Sequence, residues 1–92
     1  MFDDEECAFR EERPVYDGVQ VLFKFANGRG ASVIRHRYSY GGEFGLWELA
    51  VLNRDGGLDY STPITDDVLG RLNESEVRSA LASIRALPPE GE

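Results

Sequence analysis

The chain has 92 residues, a net charge of −7, one cysteine and one histidine. That length makes one domain and leaves no room for a second. A single cysteine excludes an intramolecular disulfide, and one Cys with one His cannot supply a structural zinc site. A charge of this sign opposes direct binding to DNA or RNA, whose phosphates repel it.

Residues 1–12 carry −5, residues 13–54 carry +3 and residues 55–92 carry −5. The opening Met1-Phe2-Asp3-Asp4-Glu5-Glu6 is acidic where a signal peptide would be basic. No apolar run approaches the ~18 residues of a membrane span. Together with the lone Cys7, which suits a reducing compartment, this predicts a soluble cytoplasmic protein with no membrane partner. Nine Arg against one Lys points to a GC-rich coding genome.

Residues 1–13 read as an acidic, partly ordered arm, a loose tail or a short helix that docks through Phe9. Pro14 ends it, because proline lacks a donor and restrains Arg13 to extended geometry. Residues 14–88 read as one α+β domain and residues 89–92 as a disordered tail.

Val19-Gln20-Val21-Leu22-Phe23-Lys24-Phe25 alternates as a strand does, with Val19, Val21, Phe23 and Phe25 on one face. Asn27-Gly28 then suits a tight hairpin, with Gly30 allowing a bulge. Residues 31–38 return as the second strand. Leu46-Trp47-Glu48-Leu49-Ala50-Val51-Leu52 reads as a third strand, and Leu58-Asp59-Tyr60, after the Asp55-Gly56-Gly57 turn, as a short fourth.

After Pro63 the period changes to about 3.6. Thr65 can cap a short helix over residues 66–72, with Asp66 and Asp67 at its positive end. Asn73 can cap a second helix, with Glu76 completing a capping box. Val77, Ala80, Leu81, Ile84 and Leu87 form its apolar stripe, and Pro88-Pro89 stops it. The fold expected is an antiparallel three- to four-stranded meander packed on one face by two C-terminal helices. Its core is Val21, Phe23, Phe25, Ile34, Trp47, Leu49, Val51, Leu69, Leu72, Val77, Leu81 and Ile84.

Chemical motifs are weak. Gly41-Gly42-Glu43-Phe44-Gly45 is glycine-rich but precedes a strand and lacks the Lys-Ser/Thr of a phosphate loop. Asp55, Asp59, Asp66 and Asp67 do not follow calcium-loop spacing, and turn and helix-end roles account for them. His36, Glu43 and Glu48 are the least implausible acid–base trio, yet Glu48 mid-strand suits a cross-strand pair with Arg35 or Arg37. No catalytic, cofactor-binding or metal site is expected, and no cofactor.

The stretch Arg35-His36-Arg37-Tyr38-Ser39-Tyr40 is basic and aromatic. On so acidic a chain it fits an acidic protein partner, or the chain's own acidic arm, better than nucleic acid. Helices cover only one face of so small a meander. Alternation leaves Gln20, Leu22, Lys24, Val33, Arg35, Arg37, Leu46, Glu48, Ala50 and Leu52 on the other. Leu22, Val33, Arg35, Arg37, Leu46, Glu48 and Leu52 are therefore the candidate interface. A second copy, a host protein or the acidic arm (Phe9 on the leucines) would cover it.

Residues 27–33, 41–52 and 60–70 resemble small uncharacterised accessory proteins encoded by phages of mycobacteria and related actinobacteria. They run Asn27-Gly28-Arg29-Gly30-Ala31-Ser32-Val33, then Gly41 through Leu52, then Tyr60 through Gly70. The resemblance covers roughly residues 19 to 87. The family carries no catalytic residues to transfer. The resemblance implies a non-enzymatic protein that binds a host or phage protein in the host cytoplasm. Two other readings stay open, an acidic DNA mimic blocking a nucleic-acid-binding protein and a small enzyme with an unrecognised site.

Overall fold

Alternation of Val21 and Phe23 against Gln20, Leu22 and Lys24 produces the strand expected of it. In a computed structural model, which describes residues 2–65 and 67–89, that strand is β2 (Gly18–Lys24). The other elements are β1 (Phe9–Val15), β3 (Gly30–Arg35), a 3-10 turn (Gly42–Phe44), β4 (Trp47–Leu52), β5 (Leu69–Leu72) and the helix α1 (Glu74–Arg85). All strands pair antiparallel in the order β1-β2-β3-β4-β5. The α+β class and antiparallel meander are as expected, but among the described residues there are five strands and one C-terminal helix.

The extra strand at the front is β1. Its sequence, Phe-Arg-Glu-Glu-Arg-Pro-Val, reads as an arm because an edge strand exposed to water need not alternate in hydropathy. Pro14 sits inside it, opposite Val19. Proline is tolerated there because an edge strand has N–H groups that face away from its neighbour.

The expected helix over 66–72 is instead β5, with Asp66 outside the described residues. Trp47 pairs with Leu72 and Leu49 with Leu69, so three residue steps on β5 oppose two on β4. That bulge, with Arg71 at φ 56, lets Leu69 and Leu72 both pack against the core. A bulged strand therefore reproduces the i, i+3 spacing of a helix. Thr65 does accept the Asp67 N–H at 3.1 Å, but the turn it closes does not continue as a helix. Leu58 makes only an isolated bridge to Leu52.

The hairpin at residues 25–29 decides which face each residue of β3 occupies. Gly28 donates its N–H to Phe25 O at 3.0 Å, and Phe25 donates to Arg29 O at 2.8 Å. The loop thus has three residues, Ala26-Asn27-Gly28, with Gly28 at φ 84. It is a type I turn with a bulged glycine. The extra residue pairs Val21 with Val33 and Phe23 with Ala31. Ile34, expected in the core, faces the other way, and fully buried Val33 and Ala31 take its place.

Helix α1 starts as read. Asn73 accepts the Glu76 N–H at 2.8 Å, and Glu76 accepts the Asn73 N–H at 2.9 Å. Val77, Leu81 and Ile84 are buried with Val21, Phe23, Val33, Leu49 and Val51. Each such side chain contributes roughly 1.5–3 kcal/mol through the apolar surface removed from water. At its far end, Asn27 Nδ2 donates to the carbonyls of Ile84 (2.8 Å), Leu87 (3.1 Å) and Arg85 (3.2 Å). The hairpin loop is in effect the helix's C-terminal cap.

Residues 2–8 lie over the helix side, not over the open face. Phe2 is 3% exposed and meets Trp47 edge to face, with ring centroids 5.1 Å apart. Glu5 pairs with Arg78 (2.8 Å) and Arg85 (3.2 Å), and Asp4 with Arg78 (2.9 Å). Phe9, expected to dock the arm, is 54% exposed on β1. The tail residues 90–92 lie outside the described residues.

Candidate functional site

With α1 on one face, the other face of the sheet carries no helix among the described residues. The registers place Leu22, Ile34, Ala50 and Leu52 on it, with Gln20, Ser32 and Glu48 between. Gln20 donates to Ser32 Oγ at 2.9 Å, satisfying the polar groups at its centre. β1 adds Phe9, Glu11, Arg13 and Val15.

Of the candidate interface residues, Leu22, Glu48 and Leu52 stand together here, all half-buried. Val33 is fully buried under the helix. Arg35 turns to the helix side and lays its guanidinium over Trp47, 4.3 Å from the ring centroid. Both corrections follow from the extra residue in the 25–29 hairpin. Arg37 lies beyond β3, exposed in the loop that follows, and Leu46 precedes β4, half-buried. Glu48 opposes Ile34 rather than an arginine. Its carboxylate accepts the Tyr40 N–H at 3.0 Å, fixing the loop instead of bridging the sheet.

At one end of this face stands a group that strand reading did not assemble. Tyr16, at the β1–β2 turn, lies 4.9 Å from the His36 ring and 5.0 Å from the Tyr38 ring, centroid to centroid. Arg37 sits 5.0 Å over Tyr38. Tyr16, Tyr38, Tyr40 and Phe44 are 69%, 67%, 58% and 72% exposed. Tyr16 has φ 54 in a two-residue turn closed by Val15 and Gly18, a conformation that glycine normally supplies. The sequence signal was Asp17-Gly18 after an extended run, a hairpin mark obscured by the charges of β1.

The rim is held rigidly. Ser39 Oγ donates to His36 O (2.9 Å) and accepts the His36 N–H (3.0 Å). The Tyr38 N–H donates to His36 Nδ1 at 3.0 Å, so the ring's proton sits on Nε2. Asp17 accepts the Arg37 N–H at 2.9 Å, and that bond holds its carboxyl below the usual aspartate range. The loop also needs two bare α-carbons. A Cβ on Gly18 would come within 1.8 Å of Arg35 O, and one on Gly42 within 1.9 Å of His36 O.

Asp17, His36, Arg37 and Glu43 border one open hollow. Glu48 is held by the Tyr40 amide, and His36 Nδ1 is occupied as an acceptor. What the arrangement offers is a fixed, exposed aromatic and cationic surface. Asp59 accepts from Ser61 and faces Arg29 at 3.4 Å, which lowers its pKa. Among the described residues no three His, Cys, Asp or Glu side chains converge to hold a metal. No helix among them is long and apolar enough to cross a membrane. No protein-family model, no curated protein and no solved structure matches the chain significantly.

Proposed function

We propose that the protein is a non-enzymatic, phage-type accessory protein that works in the host cytoplasm by binding a host or phage protein. The binding surface is the aromatic rim formed by Tyr16, Tyr38, Tyr40 and Phe44, continued by the open face through Ile34, Leu22 and Leu52. The observation that supports this most is the exposure of four aromatic rings on rigid turns at one end of the sheet. Tyrosine and arginine dominate the energetically important positions of protein interfaces, and aromatic side chains, with only two χ angles, lose little entropy on binding. The resemblance of residues 27–33, 41–52 and 60–70 to phage accessory proteins points the same way. Acidic mimicry of DNA has less support, because Asp4, Glu5 and Glu74 are engaged by Arg78 and Arg85 of the same chain.

The experiment is affinity capture from an actinobacterial lysate with the wild type and with Tyr38→Ser/Phe44→Ser, whose exposed positions leave folding unaffected. The expected result is one host protein held by the wild type and lost by the variant. A basic nucleic-acid-binding protein retained by both would move the reading to mimicry.

A further inference from the structure

The free edge of the sheet carries a self-complementary sequence. Among the described residues β1 pairs with β2 alone and is the terminal strand. Its turn closes at Val15–Gly18, so Val15, Arg13, Glu11 and Phe9 exchange their backbone groups with β2. Arg10, Glu12 and Pro14 turn theirs outward. Pro14 fits this alternation, since the N–H it lacks would have faced solvent.

We propose that β1 pairs antiparallel with β1 of a second copy about a two-fold axis at Glu12, joining two sheets into one of ten strands. Only an even register keeps each residue on its own face, and centring it on Glu12 produces a complementary pattern. Glu11 falls opposite Arg13 of the partner subunit, and Arg13 opposite Glu11 of the partner subunit. Phe9, 54% exposed in the single chain, falls opposite Val15 of the partner subunit. The two central Glu12 side chains meet between two Arg10 side chains, each Glu12 already bonded to its own Arg10 at 2.7 Å. The outward groups of Arg10 and Glu12 form four backbone hydrogen bonds across the axis, two to Glu12 and two to Pro14 carbonyls.

Charged edge strands with a proline ordinarily serve to prevent such pairing. The order of charges decides between the readings here. In this register Glu12 meets Glu12 of the partner subunit at the axis, but at both flanks Glu11 and Arg13, which also bond each other within their own strand, meet an opposite charge. The axis stands normal to the sheet. It therefore sets both helices on one side and both open faces on the other, doubling the binding surface. That consequence rests on the function proposed above; the pairing itself does not.

The test is sedimentation equilibrium of the full chain with charge reversals at the flanks. The wild type should dimerise measurably at ~100 μM, as expected of a small interface, and more weakly as salt is added. Glu11→Arg places Arg against Arg, and Arg13→Glu places Glu against Glu. Each alone should weaken association by roughly ten- to a hundredfold, since both cross-axis pairs change sign. An equimolar mixture of the two variants restores every opposite pair and should form a heterodimer. A change in monomer stability cannot produce that recovery. A monomeric wild type, or a mixture that stays monomeric, overturns the proposal and leaves the binding surface untouched. A dimer abolished by Leu22→Glu/Leu52→Glu but indifferent to the edge variants overturns it in favour of face-to-face pairing.

Discussion

Asn27 shows how much a single side chain settles in this molecule. Its amide donates to three carbonyls at the end of α1, and its Oδ1 accepts the Arg29 N–H at 3.0 Å. Asn27→Ala leaves those carbonyls without their donor and should cost about 1–3 kcal/mol in urea unfolding. Asn27→Asp should cost more, because it sets a carboxylate against the negative end of the helix. Equal stability of the wild type and both variants would show that water replaces the amide without loss. Acid should weaken the fold for a separate reason. Asp4, Asp17 and Asp59 are all held below the usual range, by Arg78, by the Arg37 amide and by Ser61 respectively. A carboxyl whose folded pKa is depressed stabilises the fold above its unfolded value, about 3.9, and loses that contribution as pH falls through the folded value. The melting temperature should therefore be level from neutral pH to about 5 and drop below about 4. Arg78→Met should shrink that drop, and a melting temperature that rises on acidification would contradict the assignment.

The elements that were legible in the sequence are those whose period is unbroken. β2 and β4 place Val21 and Phe23, and Trp47, Leu49 and Val51, at a period of 2, and α1 places Val77, Leu81 and Ile84 near 3.6, each on a buried face; β4 is apolar on its other face too, through Ala50 and Leu52. Truncating Phe23 or Leu81 to Ala should cost roughly 2–5 kcal/mol each, most of the stability of so small a domain. β1 and β5 were not legible, for opposite reasons. β1 lies at the edge with both faces wet, so nothing in its composition separates it from an acidic tail. β5 contains a bulge that makes its leucines recur at three residues, the mark of a helix. The arm was misplaced in the same way, since its buried anchor is Phe2 and not Phe9. Phe2→Ala should thus cost about 3 kcal/mol, whereas Phe9→Ala should stay within about 0.5 kcal/mol in the monomer. The reverse order in chemical denaturation would place the arm on the open face.

At the scale of the whole molecule, one face is closed by α1 and residues 2–8 and the other is left open, ending in the aromatic rim. Half of that surface was readable. Leu22, Glu48 and Leu52 follow from the alternation of β2 and β4, which no bulge interrupts. Val33 and Arg35 did not, because one extra residue in the 25–29 loop reverses the face of the whole following strand. Tyr16 escaped because it comes to His36 and Tyr38 only through a pairing of β1 that the charges conceal. That this rim binds the partner can be checked by hydroxyl-radical footprinting of the free protein and of its complex. Side-chain oxidation of Tyr38, Tyr40 and Phe44 should fall several-fold on binding, while Tyr60, exposed outside the rim, reacts as before. Unchanged oxidation of the three rim residues in a saturated complex would contradict it.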